Sequence, residues 1–291
     1  MTGRYRAVGE PWLRGERLDQ LLVYDETHEV TKEYWQLLKE TFMPNQAKNS
    51  VVLASGGTDS TLALVNAMHD NPGGEVHMLS ILYGQKHKKE IEAAHNIYLH
   101  YANIDDPVIK NGSLVVAHRV IDMGNPFAGA DSTLIDFDKG QPQLSYLEIL
   151  ESEGPSPTVV PFRNANLISI ATAYAIINGC GLIYVGMHAT DAHNWAYPDC
   201  TPEFLGAMAN AIYVGSYQEV RLVFPLIWMH KVDVIKQGYA LGIPFELTWS
   251  CYEGREKHCG LCPTCIERIE GFRQLGVADP VPYEVNVRFT L

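Results

Sequence analysis

The stretch "VVLASGGTDSTLALV", residues 51–65, constrains this chain more than any other. A short apolar run ends in Ser55, Gly56, Gly57, Thr58, Asp59 and Ser60, and a second apolar run follows. The first run is continuous rather than alternating, as in a strand buried on both faces. The second reads as a helix. A strand that turns through glycines into a helix presents backbone N–H groups and a helix N-terminus to an anion. Gly56 and Gly57 permit positive φ and let the backbone approach phosphate closely. The hydroxyls of Ser55 and Ser60 add donors. The loop nevertheless lacks the lysine that nucleotide-hydrolase loops place on the β and γ phosphates. The GxGxxG pattern is absent too, which argues against a dinucleotide site.

The chain around this loop alternates. "SVVLAS" (50–55), "VHMLSILYG" (76–84), "SLVVAHRVI" (113–121), "GLIYVGMHA" (181–189) and "RLVFPLIW" (221–228) read as strands. Helical patterns lie between them: "STLALVNAMHD", "KHKKEIEAAHNIYLHYA", "NANLISIATAYAIINGC" (164–180), "PEFLGAMANAIYVG" (202–215) and a run from Lys231 to Leu241. Such alternation implies right-handed crossovers and a doubly wound parallel α/β sheet with helices on both faces. Residues 122–162 break the rhythm. They are rich in Gly, Pro, Asp and Ser, too long for a routine connection, and read as a lid or substrate loop. Residues 1–49 read as an N-terminal extension packing on the core, with a helix capped by Thr31 and carrying Tyr34, Leu37, Leu38 and Phe42 at helical spacing.

Beyond residue 250 the pattern gives way to "CYEGREKHCGLCPTC" and a last helix, "TCIERIEGFRQLG" (264–276). Cys251, Cys259, Cys262 and Cys265 form a C-x7-C-x2-C-x2-C array. Four thiolates at short spacing suit tetrahedral Zn2+, and a closed set of four reads as structural. Iron–sulfur clusters use thiolates as well. Nothing else in the sequence suggests redox chemistry, so zinc is the expected ion. His258 is a spare donor beside a set that four cysteines already fill. Cys180 reads as core.

"SGGTDS" resembles the signature of the PP-loop ATP pyrophosphatases, which cleave ATP between the α and β phosphates and transfer AMP to a substrate oxygen. Asp59, at the head of the helix, suits a Mg2+ that bridges phosphates. Further segments carry the resemblance to the 7-cyano-7-deazaguanine synthase family: "YGQKHKKEIEAA" (83–94), "VPFRNANLISIATAYA" (160–175), "YPDCTPEF" (197–204), "TWSCYEG" (248–254) and "CGLCPTCIERIEGFRQLGVADP" (259–280). It runs from about residue 50 to residue 282. It implies an adenine-nucleotide alpha-hydrolase-like, Rossmann-like domain over 50–245, a zinc-binding region over 246–291, and a homodimer. The implied reaction is an ATP-dependent ligation of ammonia to 7-carboxy-7-deazaguanine, which ends in a nitrile. The runner-up is a related PP-loop ligase acting on another carboxylate or carbonyl.

Residue roles follow from the same resemblance. Ser55, Gly56, Gly57, Thr58, Asp59 and Ser60, with Tyr83, Gln85 and Lys86, would bind the nucleotide. Arg163, Asn164, Asp191, Tyr197 and Asp199 would bind the substrate. Asp59, Ser60, Arg163 and Lys231 would serve catalysis, and His87 is a further candidate phosphate contact. The planar fork of Arg163 suits a carboxylate or a phosphate, and Asp191 or Asp199 suits the N–H edge of a guanine-like base. Three departures from the family stand out. About 50 residues precede the loop, where members begin almost at it. Phe162 stands where the family has glycine, and "AHNWA" replaces a short serine–glycine turn.

Net charge sets the remaining limits. At −12 the chain is a poor candidate for gripping a nucleic-acid backbone over a broad surface. No apolar run is long enough to span a bilayer. The first twenty residues lack an apolar signal core, so a cytoplasmic location with reduced cysteines is expected.

Overall fold

The computed structural model describes residues 48–103, 113–151, 156–192 and 196–289. The expected N-terminal extension therefore lies outside the described residues, apart from positions 48 and 49, and so does most of the "AHNWA" turn. Among the described residues, five parallel strands make one sheet in the order β3-β2-β1-β4-β5. They are β1 (Ser50–Leu53), β2 (Glu75–Leu82), β3 (Leu114–Asp122), β4 (Leu182–Tyr184) and β5 (Arg221–Val223). The helices are α1 (Thr58–Asp70), α2 (Lys89–Ala102), α3 (Tyr146–Glu151), α4 (Arg163–Ile177), α5 (Ala189–Ala192), α6 (Pro202–Gly215), α7 (Lys231–Ala240) and α8 (Pro263–Gln274). No helix of the described residues is long and apolar enough to cross a membrane.

β1 lies at the centre, with Ser50 opposite both Val76 of β2 and Leu182 of β4. Because successive side chains point to opposite faces, Val51 and Val52 enter two different cores. Val52 joins Leu64, Ile97, Ile235 and Phe272, from α1, α2, α7 and α8. Val51 joins Ile168, Ala171, Leu205 and Ile212, from α4 and α6. Both faces are thus covered, as the continuous apolar runs demand. The strand order reverses between β1 and β4, and the crevice beyond the carboxyl ends of these two strands is where open α/β sheets bind ligands.

Two strands are shorter than their sequence patterns. The pattern at 221–228 shrinks to three residues because Pro225 cannot donate to a ladder and the chain turns there, with Ile227 N bonded to Phe224 O at 3.3 Å. The pattern at 181–189 shrinks because the chain leaves the sheet at Gly186, after Val185 N has bonded Val223 O at 3.0 Å. A Cβ at Gly186 would lie 2.8 Å from the Asp59 carbonyl carbon, so only glycine lets this segment pass the head of α1.

The long 122–162 segment folds over the carboxyl ends of the strands. Its Leu134, Ile135 and Val160 pack on Tyr83, and its one helix, α3, brings Tyr146 against Tyr197. At the other end of the chain, α8 is fastened by Arg268, whose side chain is fully buried. Its guanidinium donates to both oxygens of Asp279, at 2.6 and 2.9 Å, to Thr248 Oγ1 at 2.7 Å and to Phe245 O at 3.1 Å. Every strong donor of the fork is matched, which is the condition under which a buried ion pair is tolerated. An Arg268→Met variant leaves the Asp279 charge buried and unpaired. It should lose about 3–5 kcal/mol, read as a lower urea midpoint with an unchanged denaturant slope.

Candidate functional site

The loop after β1 is built as a cradle. Gly56 has φ +82°, and a Cβ there would lie 2.4 Å from Glu90 O and 2.7 Å from Ala94 N of α2. Glycine is therefore required twice, by conformation and by the close approach of α2. Gly57 caps α1 with no side-chain hydrogen bond. The first intrahelical bond runs from Thr61 N to Gly57 O at 3.1 Å, so Thr58, Asp59 and Ser60 carry N–H groups with no intrahelical partner. The Ser55 hydroxyl contacts Ser60 Oγ at 3.1 Å and accepts from Gly57 N at 3.3 Å, which fixes the turn. Trp249 N donates to Gly56 O at 2.8 Å and ties the C-terminal region to the loop.

The cradle opens on a cavity of about 260 Å³ at the switch point of the sheet. Ser55, Gly57, Asp59 and Ser60 line it, with Tyr83, Gln85, Lys86 and His87 from the turn between β2 and α2. Arg163, Asn164, Asp191, Tyr197 and Lys231 line it as well. Gly56 and Thr58 do not; Gly56 lies under α2, and Thr58 is buried with its hydroxyl on Asp59 Oδ1. Asp199 does not line the cavity either. Its carboxylate accepts from Asn164 N at 2.9 Å, so it fixes the N-terminus of α4 from behind the site. Arg163 leans over the Tyr83 ring at 5.7 Å and donates to its hydroxyl at 3.3 Å.

The lysine missing from the loop arrives from another element. Lys231 is the first residue of α7, and its Nζ lies 2.7 and 2.8 Å from the two Asp59 oxygens and 3.3 Å from Glu267 Oε2. Burial opposes both charges of the pair. The ammonium nonetheless holds the Asp59 carboxyl below its usual pKa, and the carboxylates of Asp59 and Glu267 hold Lys231 above its own. For Glu267 burial wins, and its pKa is raised despite Lys231 and His188.

Several lining residues have no role assigned in the sequence reading: Glu90, which lies within the 83–94 segment, Tyr146, His188, Trp249, Tyr252 and Glu267. Trp249, Tyr252 and Glu267 sit inside segments that the sequence marks through their cysteines, and Tyr146 inside the segment marked as a lid. His188 has no motif of its own. Tyr146 and Tyr252 share a hydrogen bond between hydroxyls at 3.1 Å. Together with Tyr83 and Tyr197 they give the cavity aromatic walls suited to a flat heterocycle.

The Phe162 departure falls outside the cavity. Phe162 has φ +55°, the left-handed conformation that favours glycine, and its ring is 65% exposed, edge-on to Phe204 at 5.8 Å. The side chain is held away from the cavity.

Cys251, Cys259, Cys262 and Cys265 are buried with free thiols, and their sulfurs lie within 4.8 Å of one another. Cys251 Sγ accepts from Glu253 N at 3.4 Å and Cys259 N at 3.3 Å. Cys259 Sγ accepts from Leu261 N at 3.4 Å and Cys262 N at 3.3 Å. Such N–H donors stabilise thiolates, and the set fits a single metal ion. His258 stands apart, stacked on Trp249 at 4.3 Å and accepting from Ser250 N at 3.2 Å.

Comparison with known proteins agrees with this arrangement. The family described as "Queuosine biosynthesis protein QueC" matches residues 49–276. A 7-cyano-7-deazaguanine synthase from Caldicellulosiruptor bescii is 40% identical over 82% of this chain and 98% of its own length. One from Methanoregula boonei is 36% identical over 81% and 99%. Among solved structures, a U34-tRNA thiolase from Methanococcus maripaludis overlaps with a TM-score of 0.44 at 15% identity, covering 73% of this chain and 64% of that one. That overlap is too slight to argue from.

The cavity also sets a pH dependence. Burial raises the Glu90 carboxyl to about 7 against the pull of Arg163. The unfolded chain releases this proton near the ordinary value of 4.5, the folded chain near 7. The folded state therefore loses stability as pH rises through that window. Glu90→Gln should leave stability unchanged below pH 4.5, gain relative to the parent between 4.5 and 7, and hold that gain above 7. Thermal unfolding across pH checks this; a constant difference at every pH would contradict it.

Proposed function

Since the chain belongs to the QueC family of queuosine biosynthesis proteins, we propose that it makes 7-cyano-7-deazaguanine from 7-carboxy-7-deazaguanine and ammonia, at the expense of ATP. The observation that carries the mechanism is the uncapped head of α1 opening on an aromatic-walled cavity, with Lys231 rather than a loop lysine beside Asp59. The enzyme is then a carbon–nitrogen ligase.

A carboxylate is a poor electrophile. In the first round its oxygen attacks the α-phosphorus of ATP, and pyrophosphate leaves. Ammonia adds to the acyl adenylate, AMP departs with the former carboxylate oxygen, and a proton is lost to give the amide. In the second round the amide oxygen attacks a second ATP in the same way. Loss of AMP and of the remaining protons on nitrogen leaves the nitrile. One site serves both rounds, because each transfers AMP to an oxygen on the same carbon. No protein nucleophile is called for, so catalysis rests on positioning and charge neutralisation.

In this reading the N–H groups at the head of α1, with Ser55 and Ser60, receive the departing pyrophosphate. Lys231 and Lys86 neutralise phosphate charge, and His87, whose pKa burial lowers, serves as a neutral hydrogen-bonding contact. Arg163 meets the substrate carboxylate, and Asp191 the N–H edge of the base, between Tyr83 and Tyr197. Asp59 would offer a carboxylate oxygen to a Mg2+ accompanying the nucleotide, which would offset phosphate charge. Asp199 acts at one remove, by holding Asn164 and the start of α4. Zn2+ is the ion favoured for the cysteine set. A tetrahedral ion with Zn–S near 2.3 Å separates sulfurs by about 3.8 Å, and Cys259 and Cys265 are 3.9 Å apart; several irons would spread the sulfurs wider. The homodimer and the cytoplasmic location expected for the family belong to the same proposal.

Supplying 7-carboxy-7-deazaguanine and ammonia should release two AMP and two pyrophosphate for each nitrile formed. No stimulation would favour a sibling ligase with another substrate. Arg163→Ala should lower kcat/KM for the deazaguanine by about 100-fold, an interaction of roughly 3 kcal/mol, while the KM for ATP stays near the parent value. Phe162→Gly tests the departure from the family. It should leave both KM values unchanged and shift stability by no more than about 1 kcal/mol, because relief of the left-handed strain offsets the added chain entropy.

A further inference from the structure

A second group of metal-type ligands lies beside the Lys231–Asp59 pair, apart from the cysteines. His188, Asp191 and Glu267 offer ligand atoms that all lie within 4.8 Å of one another. His188 Nε2 is 3.6 Å from Asp191 Oδ2, 3.7 Å from Asp59 Oδ1 and 4.0 Å from Glu267 Oε1. These separations are too long for hydrogen bonds. They are a little longer than the roughly 3.0–3.6 Å between adjacent ligands of an ion with bonds of about 2.0–2.2 Å, so small side-chain shifts would close the set around an ion.

Two further observations point to a ligand. His188 is 1% exposed, and its Nε2 faces three carboxylates, none of them within hydrogen-bond reach. Glu267 Oε1 is buried and likewise has no partner, while its other oxygen is held by Lys231. A buried carboxylate oxygen without a donor is costly. Charge completes the case. Asp59, Asp191 and Glu267 carry three negative charges against the single ammonium of Lys231, and one divalent cation with a neutral His188 balances the remainder. A protonated His188 balances only half of it and leaves Glu267 Oε1 unpaired.

We propose that His188, Asp191 and Glu267 form a divalent-cation site in the wall of the nucleotide cavity, distinct from the cysteine site. One imidazole with two carboxylates is a mixed donor set that suits Mn2+ better than Mg2+, which takes oxygen ligands. The site draws on one oxygen of Asp191, Oδ2, which leaves Oδ1 for the base edge in the reading proposed above. In the cavity it lies beside Lys231, where a cation would add charge next to the phosphate cradle.

The test is a Mn2+ titration of the full chain with its cysteine site loaded, followed by electron paramagnetic resonance, without nucleotide or substrate. One Mn2+ should bind per chain, with a nitrogen coupling from the imidazole, and Mg2+ should displace it only at large excess. Glu267→Gln should weaken binding by about 10-fold or more, and His188→Gln should also abolish the nitrogen coupling. Retained metal in the cysteine site and an unchanged circular dichroism spectrum show that a variant is folded. The proposal is overturned if the parent protein binds no Mn2+ at millimolar concentration, if both folded variants bind it as the parent does, or if the bound ion shows no nitrogen coupling. Should neither variant fold, the coupling and stoichiometry in the parent protein decide the matter.

Discussion

The ammonium of Lys231 lies between the carboxylates of Asp59 and Glu267, and these three side chains come from α1, α7 and α8. Lys231 and Asp59 are 172 residues apart in sequence. The contact is therefore possible only because the sheet reverses its strand order between β1 and β4 and brings the heads of α1 and α7 to one crevice. The dependence runs both ways. Without the ammonium, two carboxylates would share a buried space and at least one would take up a proton. With it, Asp59 stays ionised at the mouth of an anion cradle, and the cradle gains a cation that the loop itself does not encode. In the function proposed above, a phosphate loop with an aspartate and no lysine is half of a device whose other half is Lys231.

Much of this was legible in the sequence, and the limits have physical causes. The alternation of apolar runs and helical patterns marks the parallel sheet, and α6 appears at its expected bounds, Pro202–Gly215, because Thr201 and Pro202 start it cleanly. The ends of β4 and β5 are not legible. Their apolar patterns continue past the last ladder bond, since Met187, Leu226 and Ile227 pack into hydrophobic clusters rather than pairing with a strand. The cradle and the four cysteines are legible because each is contiguous and each chemistry needs a fixed spacing. His188 and Glu267 are not, because no local spacing relates them; only the fold brings α8 under the turn that follows β4. Asp199, singled out by its place in "YPDC", turns one carboxylate oxygen to Asn164 N and does not line the cavity.

The cysteine cluster is placed so that a metal held there would brace the cavity wall. Residues 249–267 leave and re-enter the cavity wall around the four sulfurs: Trp249, Ser250 and Tyr252 line the cavity before and after the first cysteine, and Thr264 and Glu267 flank the last. Thr264 Oγ1 bonds Ser250 O at 2.6 Å, and Trp249 N bonds the Gly56 carbonyl of the cradle at 2.8 Å. A single ion joining Cys251 to Cys259, Cys262 and Cys265 would therefore fix two stretches of the wall against each other and against the phosphate loop. Arg268, three residues beyond the last cysteine, extends this bracing to Asp279 and Phe245 in the core. A loop wall held only by water-exposed contacts would move on the timescale of the chemistry. A four-thiolate ion and the matched guanidinium would brace that wall, and in the function proposed above such bracing would let backbone N–H groups and one lysine stabilise departing pyrophosphate without a covalent intermediate.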